Sequence, residues 1–338
     1  MRKSSSKAAF VHLLIVMMLV SLLCGIVVVT AEGEEREKHY AYAATAKTTA
    51  ASSLANFNFA ASGDWACNSN TTNTVSSIVG KNPNLVLGLG DYYYSHYNES
   101  RNPDCWFKII KPIEQRIKIS IGNHEDDSPL LLNLFMSHFN LTKQYYSFSY
   151  QNVHFVVIST ELPIRIGSEQ YNFVNTDLAK AASDPNINWI IVYYHKTAYT
   201  SPSLVNPFNA FRDIYHPLFD KYHVDLILQA HEHNYQRSYP IKYNSLIPSS
   251  PIITDSTNIH NNYTNPQGRI FAIVGTADAH LFKLSGQAPY MATQYMGHGF
   301  LDLAVINNGT TLSAKFYANN NGFIKDQFTI KKSITITK

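Results

Sequence analysis

The chain predicts an α/β fold in which helices cover a largely buried sheet. Two observations carry that expectation. Short apolar runs of strand length alternate with helical patterns over most of the chain, and the runs end abruptly in aspartate, asparagine or histidine. Strand and helix in alternation are the mark of a sheet with helices packed on it.

The folded part is preceded by two segments of different character. MRKSSSK is a basic start, and residues 8–31 (AAFVHLLIVMMLVSLLCGIVVVTA) contain no charged residue. That run is an export signal or a single membrane anchor; its length is close to what spans a bilayer, and Val29-Thr30-Ala31 has the small residues a signal peptidase accepts. Either way residues 1–31 lead the rest out of the cytosol, to be secreted or held on the outer face of the membrane. Residues 32–54, charged and then rich in Ala and Thr, form a spacer. The domain is expected over 55–335.

Within it the elements follow in order. NFNFAASGD reads as a strand, TVSSIVGKN as a short helix, NLVLGLGD as a strand and CWFKIIKPIEQR as a helix. IKISIGNHE is a strand, PLLLNLFMSHF a helix, and YYSFSYQNVHFVVIST a pair of strands joined by a turn. SEQYNFVNTDLAKAAS is a helix, NWIIVYYHK a strand, PFNAFRDIYHPLFDKYH a helix and VDLILQA a strand. From Ser238 to about Gly268 the chain is loop-like, and it then turns to strands: RIFAIVGTA, GFLDLAVIN, TTLSAKFYAN and FIKDQFTIKK. Asn307-Asn308-Gly309 and Asn321-Gly322 between the last of these are hairpin turns.

Composition narrows the function classes. Hydrophobic residues make up 45% and charged residues 15% of 338, an ordinary globular balance. A net charge of +3 with no lysine- or arginine-rich block argues against nucleic acid as a partner. Cys24 lies in the apolar leader, which leaves Cys67 and Cys105 as a disulfide pair in an oxidising compartment. Asn-x-Ser/Thr sequons at Asn70, Asn98, Asn140, Asn262 and Asn308 are compatible with glycosylation or with chance. Oligomeric state is not legible.

The chemistry lies at the strand ends. The apolar runs end in Gly63-Asp64, Gly90-Asp91-Tyr92-Tyr93-Tyr94, Gly122-Asn123-His124-Glu125, His195 and His231-Glu232-His233. A lone His-x-His is most often a pair of loop histidines bonded to water. Five strand ends carrying such residues are different, because the carboxyl edge of an open α/β sheet is where ligands bind. Carboxylates, an asparagine carbonyl and imidazoles with no thiolate suit Fe, Zn or Mn. They are too many for one tetrahedral ion and sufficient for two ions that share a carboxylate.

The series GD…GDxxY…GNHE…H…HxH, with HEHNYQR and a late Gly297-His298-Gly299, resembles the calcineurin-like metallophosphoesterases, and among them the purple acid phosphatases in their short, single-domain form. The resemblance covers about Asn56 to Lys332. It implies a four-layer α/β/β/α sandwich of two mixed sheets flanked by helices. It implies Fe(III) held by Asp64, Tyr94 and His233, a second Fe, Zn or Mn ion held by Asn123, His195 and His231, and Asp91 bridging the two. His124 would face the substrate and assist the transferred phosphoryl group or the leaving oxygen. The implied activity is hydrolysis of small phosphomonoesters by metal-bound hydroxide, with a phosphodiesterase as the alternative and a non-catalytic phosphate- or partner-binding protein as a more distant one. Tyr94 separates the purple enzymes from divalent-metal relatives, since a phenolate favours a trivalent ion. The chain departs from the pattern at Ala66 and Ala230, where the family has glycine, and lacks the substrate histidines that follow the His195 block. His216 and His223 read as surface or packing residues, His298 as structural, His96 and His280 as rim residues, and Arg237 as one half of an ion pair rather than a phosphate ligand.

Overall fold

Phe57, Phe59 and Ala61 alternate with Asn58, Ala60 and Ser62 along the first strand, β1 (Phe57–Ser62). Period two sends each set to one face of a sheet. The first set belongs to one apolar core and Ala60 to another, so β1 is buried on both sides. In the computed structural model the described residues are 56–94, 103–257, 260–319 and 321–333. They fall within one compact unit, 52–338. The apolar leader, the spacer, His96 and the Asn98 sequon lie outside the described residues. Among the described residues no helix is long and apolar enough to cross a membrane.

Two seven-stranded sheets form the centre. The first orders β11 (Asn262–Thr264), β16 (Ile324–Lys331), β15 (Thr311–Ala318), β14 (Gly299–Ile306), β1, β2 (Leu85–Gly88) and β3 (Ile117–Ile119). The second orders β13 (Met291–Tyr295), β8 (Tyr235–Ser238), β12 (Ile270–Val274), β7 (Leu226–Gln229), β6 (Trp189–Tyr193), β5 (Val153–Val157) and β4 (Tyr146–Tyr150). Both are mixed: β1, β2 and β3 run parallel, as do β5, β6, β7 and β12, while the other strands pair antiparallel except for the edge strand β11, which runs parallel to β16. A short ribbon of β9 (Ile241–Lys242) and β10 (Ile252–Ile253) stands apart.

The sheets pack face to face through one core, in which Phe59 meets Phe155 edge-on at 5.4 Å. On the outer side of the first sheet lie α1 (Ser69–Lys81), α2 (Asp104–Ile109), α3 (Asn123–Asp126) and α4 (Pro129–His138). On the outer side of the second lie α5 (Glu169–Ser183) and α6 (Asn209–Lys221). This is the expected four-layer sandwich. A disulfide joins Cys67, just past β1, to Cys105 in α2, with Cα atoms 5.7 Å apart.

Several boundaries differ from expectation, each for a local reason. Helix α1 starts earlier, because the Asn68 side chain accepts the Asn70 amide and caps it. Helix α2 ends at Ile109, ahead of Pro112, whose ring lacks the N–H a helix needs. Asn123 and His124 begin a short helix, not the end of a strand. Strands β8 to β11 and β13 interrupt stretches that read as site or loop. At the β14–β15 turn Asn307, Asn308 and Gly309 all take positive φ, as the Asn-Gly signal requires.

Candidate metal centre

The ends of β1, β2, β3, β6, β7 and β12 meet at one edge of the sandwich. Main-chain bonds lace them together: Gly63 N donates to Val274 O at 2.8 Å, Asp64 N to Gly90 O at 3.1 Å and Ala230 N to His195 O at 2.9 Å. The first of these joins the two sheets. Packing is close enough that a Cβ at Gly63 would lie 2.6 Å from the Ala230 methyl. Asp64, Asp91 and His231 sit in the left-handed region, with φ of 55°, 52° and 69°. Such backbone is uncommon outside glycine and concentrates where surrounding structure enforces a functional geometry.

Two clusters of donor atoms result. In one, the Tyr94 hydroxyl lies 3.2 Å from Asp64 Oδ1 and 3.3 Å from His233 Nε2, with 3.6 Å between the last two. In the other, His195 Nε2 lies 3.1 Å from Asp91 Oδ2, 3.2 Å from Asn123 Oδ1 and 3.1 Å from His231 Nδ1. Ligand atoms of Asp91, His195 and His231 all fall within 4.8 Å of one another. The clusters are tied to each other, since the His231 amide donates to Asp64 Oδ2 at 2.7 Å. His124 stands beside both: its amide donates to Asp91 Oδ1 at 2.9 Å, its ring lies 4.4 Å from that of Tyr94, and its Nε2 is 3.8 Å from Asp91 Oδ2. Its side chain is 22% exposed, on the open side of the site with the partly exposed Asn123 and His231.

Tautomers follow from the carbonyls, which only accept. His195 Nδ1 donates to Leu89 O at 2.9 Å and His233 Nδ1 to His280 O at 2.7 Å, so each turns Nε2 inward. Glu125, fully buried, accepts three main-chain amides: Asp91 and Gly122 on Oε2, at 2.9 and 3.0 Å, and Tyr92 on Oε1 at 2.7 Å.

Burial sets the electrostatics. It pushes Asp64 well above the carboxylate range, and the Asp91 charge adds to the push. Burial would raise Asp91 too, but the charged His195 outweighs it and holds Asp91 low. Burial works against a charge on His195, yet Asp91 lifts it to about 10. Burial depresses His231 to about 3 and His233 to about 4, so both are neutral near pH 7. Burial and the Asp64 charge raise the Tyr94 phenol well above its usual value. Asp91 and His195 thus favour opposite charges on each other where four donor atoms converge, the place a cation would occupy. Buried carboxylates, an amide oxygen, a phenol and neutral imidazoles fit a hard or borderline metal ion.

The remaining assignments sort cleanly. Arg237 is fully buried in a two-pronged ion pair with Asp326, at 2.6 and 3.0 Å, away from the site. His216 packs inside, accepting from the Tyr199 hydroxyl at 2.8 Å. His280 touches the site through its carbonyl. Sequence reasoning gave Glu125 no role and, in the segment after β12, singled out His280 alone. Gly275 there lies so close to Asp64 that a Cβ would run into its carboxylate, and the Asp278 and Ala279 amides donate to Asp64 O at 3.0 and 2.9 Å. The signal available was GTA ending the strand RIFAIV: it carries a small residue, as the ends at Gly63, Gly90 and Gly122 do, but no ligand-type residue beside it.

Comparison with known proteins is consistent with this geometry. A family model described as calcineurin-like phosphoesterase matches residues 57–235. Similar curated proteins include "Probable inactive purple acid phosphatase 27" of Arabidopsis thaliana, 28% identical over 280 residues, covering 74% of this chain and 44% of that protein. "Purple acid phosphatase 15" of the same plant is 24% identical over 227 residues, covering 56% and 42%. The chain therefore spans less than half the length of these relatives. Among solved structures, a purple acid phosphatase from yellow lupin (Lupinus luteus) seeds aligns with a TM-score of 0.72 at 22% identity, covering 83% of this chain and 54% of that one.

Proposed function

This chain belongs to the calcineurin-like phosphoesterase family, and from that premise we propose that it is an exported dinuclear metallohydrolase that acts on small phosphomonoesters. The observation that carries the reading is the pair of adjoining donor clusters, each complete in oxygen and nitrogen donors. Asp64, Tyr94 and His233 would hold an Fe(III) ion, Asn123, His195 and His231 an Fe, Zn or Mn ion, and Asp91 would bridge them. When bound, such a pair supplies an activated water near neutral pH and positive charge for the phosphate oxygens.

The residues divide the remaining work. Burial keeps His231 and His233 neutral, ready to donate lone pairs. The buried Tyr94 phenol resists ionisation, which favours the cation of higher charge beside it. His124, partly exposed beside both clusters, would steady the transferred phosphoryl group or hand a proton to the leaving oxygen. Export rests on the apolar leader and on the Cys67–Cys105 disulfide. A binding role is the competing reading, favoured by the word "inactive" in the names of three relatives, probable inactive purple acid phosphatases 27, 1 and 24 of Arabidopsis thaliana. The complete donor set and the presence of His124 favour catalysis.

The test is hydrolysis of a chromogenic phosphomonoester beside its matched diester, from acidic to alkaline pH. His124→Ala is expected to lower monoester turnover by about 10²–10⁴-fold, and Asp91→Asn to abolish it with loss of bound metal. Preferential diester turnover would reassign the enzyme as a phosphodiesterase. No turnover of either ester by protein carrying two metal ions would leave the binding role.

A further inference from the structure

The Asp64–Tyr94–His233 cluster is wrapped by one short segment, residues 275–282, which follows β12. The segment touches all three members. Its Asp278 and Ala279 amides donate to Asp64 O, Ala279 packs against Tyr94, and the His280 carbonyl accepts from His233 Nδ1. Phe282 closes the wrap. Its ring stacks on the His233 imidazole with centroids 3.9 Å apart and planes 13° from parallel, and its amide donates to His233 O at 3.0 Å. His233 is thereby held on one face by an aromatic ring and at Nδ1 by a carbonyl. Three residues past the segment the chain is anchored to the loop that follows His195, where Pro202 O accepts from the amide and the hydroxyl of Ser285 at 2.9 and 3.0 Å. Among the described residues the ring that neighbours His231 is that of its fellow cluster member His195, at 4.9 Å.

We propose that Phe282 is a positioning residue for the metal ion of the Asp64–Tyr94–His233 cluster, and that it governs how long this ion is retained relative to its neighbour. The proposal rests on the dinuclear reading above. The stacked ring fixes the rotation of the imidazole about Cβ–Cγ, so Nε2 stays aimed at Tyr94 and Asp64 without an ordering cost at each binding event. It also shields that face of the imidazole from water. Hydrogen-bonding groups that orient a ligand histidine typically change metal affinity by about 10–100-fold when removed, and the stacked ring is expected to act within that range. Because the ring contact recorded for Phe282 among the described residues is with His233, the effect is expected to be selective for one of two ions.

The experiment counts bound metal on the full domain, purified with its ions, before and during dialysis against a mild chelator. Wild type, Phe282→Ala, Phe282→Tyr and His233→Ala are compared, with the thermal midpoint measured alongside. Wild type is expected to start at two ions. Phe282→Ala is expected to release one of them about 10–100-fold faster while the other leaves at the wild-type rate, Phe282→Tyr to restore retention, and His233→Ala to start at one ion. Equal retention of both ions in Phe282→Ala and wild type would overturn the proposal. So would equal loss of both ions with a lowered thermal midpoint, since that is a structural effect alone. Wild type that binds fewer than two ions would instead bring down the dinuclear reading, and the proposal with it.

Discussion

Glu125 is the residue on which the Asp91 turn depends. Asp91 holds a left-handed φ of 52°, which costs energy that neighbouring bonds must offset. Glu125 provides them by accepting the amides of Asp91, Tyr92 and Gly122. Glu125→Gln keeps the shape but offers one oxygen in place of two. Its best choice is to leave that oxygen on Asp91 and Gly122 and turn its NH₂ toward the Tyr92 amide, which then has no acceptor. An unmade bond of this kind costs about 1–3 kcal/mol. The expected outcome is a chemical unfolding free energy lower by that amount, together with weaker retention of the metal ion at the Asn123–His195–His231 cluster. Unchanged stability would show that Glu125 does not brace the turn. At this scale the sequence was informative about donors and silent about their supports. Asp64, Asp91, His195 and His231 announce themselves by residue type at strand ends. Glu125 sits inside the same motif, but the bonds that matter are to main-chain amides, which no side-chain pattern reveals. Gly275 and Phe282 lie in a stretch with no ligand-type signal except Asp278 and His280.

Helix α6 shows what an element contributes beyond covering a sheet. Its face toward the second sheet carries Phe211, Tyr215 and Phe219, and also His216, which is completely buried. His216 Nδ1 accepts from Tyr199, and its Nε2 lies 3.6 Å from Asp220 Oδ1, which also lies 3.6 Å from Arg269 Nε. Burial lowers the His216 pKa below its ordinary value, with Asp220 opposing and Arg269 adding to the shift. The unfolded chain therefore takes up a proton near pH 6.5 that the folded chain takes up only at lower pH. The unfolded state binds more protons there, so stability falls as pH falls below about 6.5. One such group contributes a slope of at most about 1.4 kcal/mol per pH unit. Denaturant titrations between pH 7.5 and 5 are expected to show the decline, and His216→Gln, whatever its baseline, a flatter one. An equal slope in the variant would assign the acid sensitivity elsewhere. The helix itself was legible from its amphipathic pattern, including Pro217 in its interior. Strand β8 was not, because YQRS alternates polar with polar and every residue is nonetheless buried. Its pattern reflects ion pairing and hydrogen bonding inside the protein, which hydropathy cannot distinguish from solvent exposure.

The two sheets are joined by more than their apolar interface. Arg237 on β8 and Asp326 on β16 belong to different sheets and form a paired contact, with Tyr235 donating to Asp326 Oδ2 at 2.7 Å and Arg237 lying over Phe328 at 4.9 Å. Strand β8 begins two residues after His233, so this bond anchors the ligand loop of one sheet to the far strands of the other. The resemblance made the sandwich legible as a whole, but not this tie, because Asp326 comes 89 residues after Arg237 in the chain. Removing one partner leaves a charge buried without compensation, at a cost of about 3–5 kcal/mol. Replacing both with apolar residues removes the desolvation cost as well, and such replacements are often neutral. Arg237→Met is therefore expected to lower the unfolding free energy by about 3–5 kcal/mol, and Arg237→Met with Asp326→Leu to recover most of it. The candidate metal centre separates fold stability from site geometry. If the pair merely supports the fold, metal retention returns with stability in the double variant. If its directional bonds aim β8, retention stays low although stability returns, because an apolar contact holds the sheets together without fixing their register. Measuring unfolding and metal release on the same three proteins distinguishes the two.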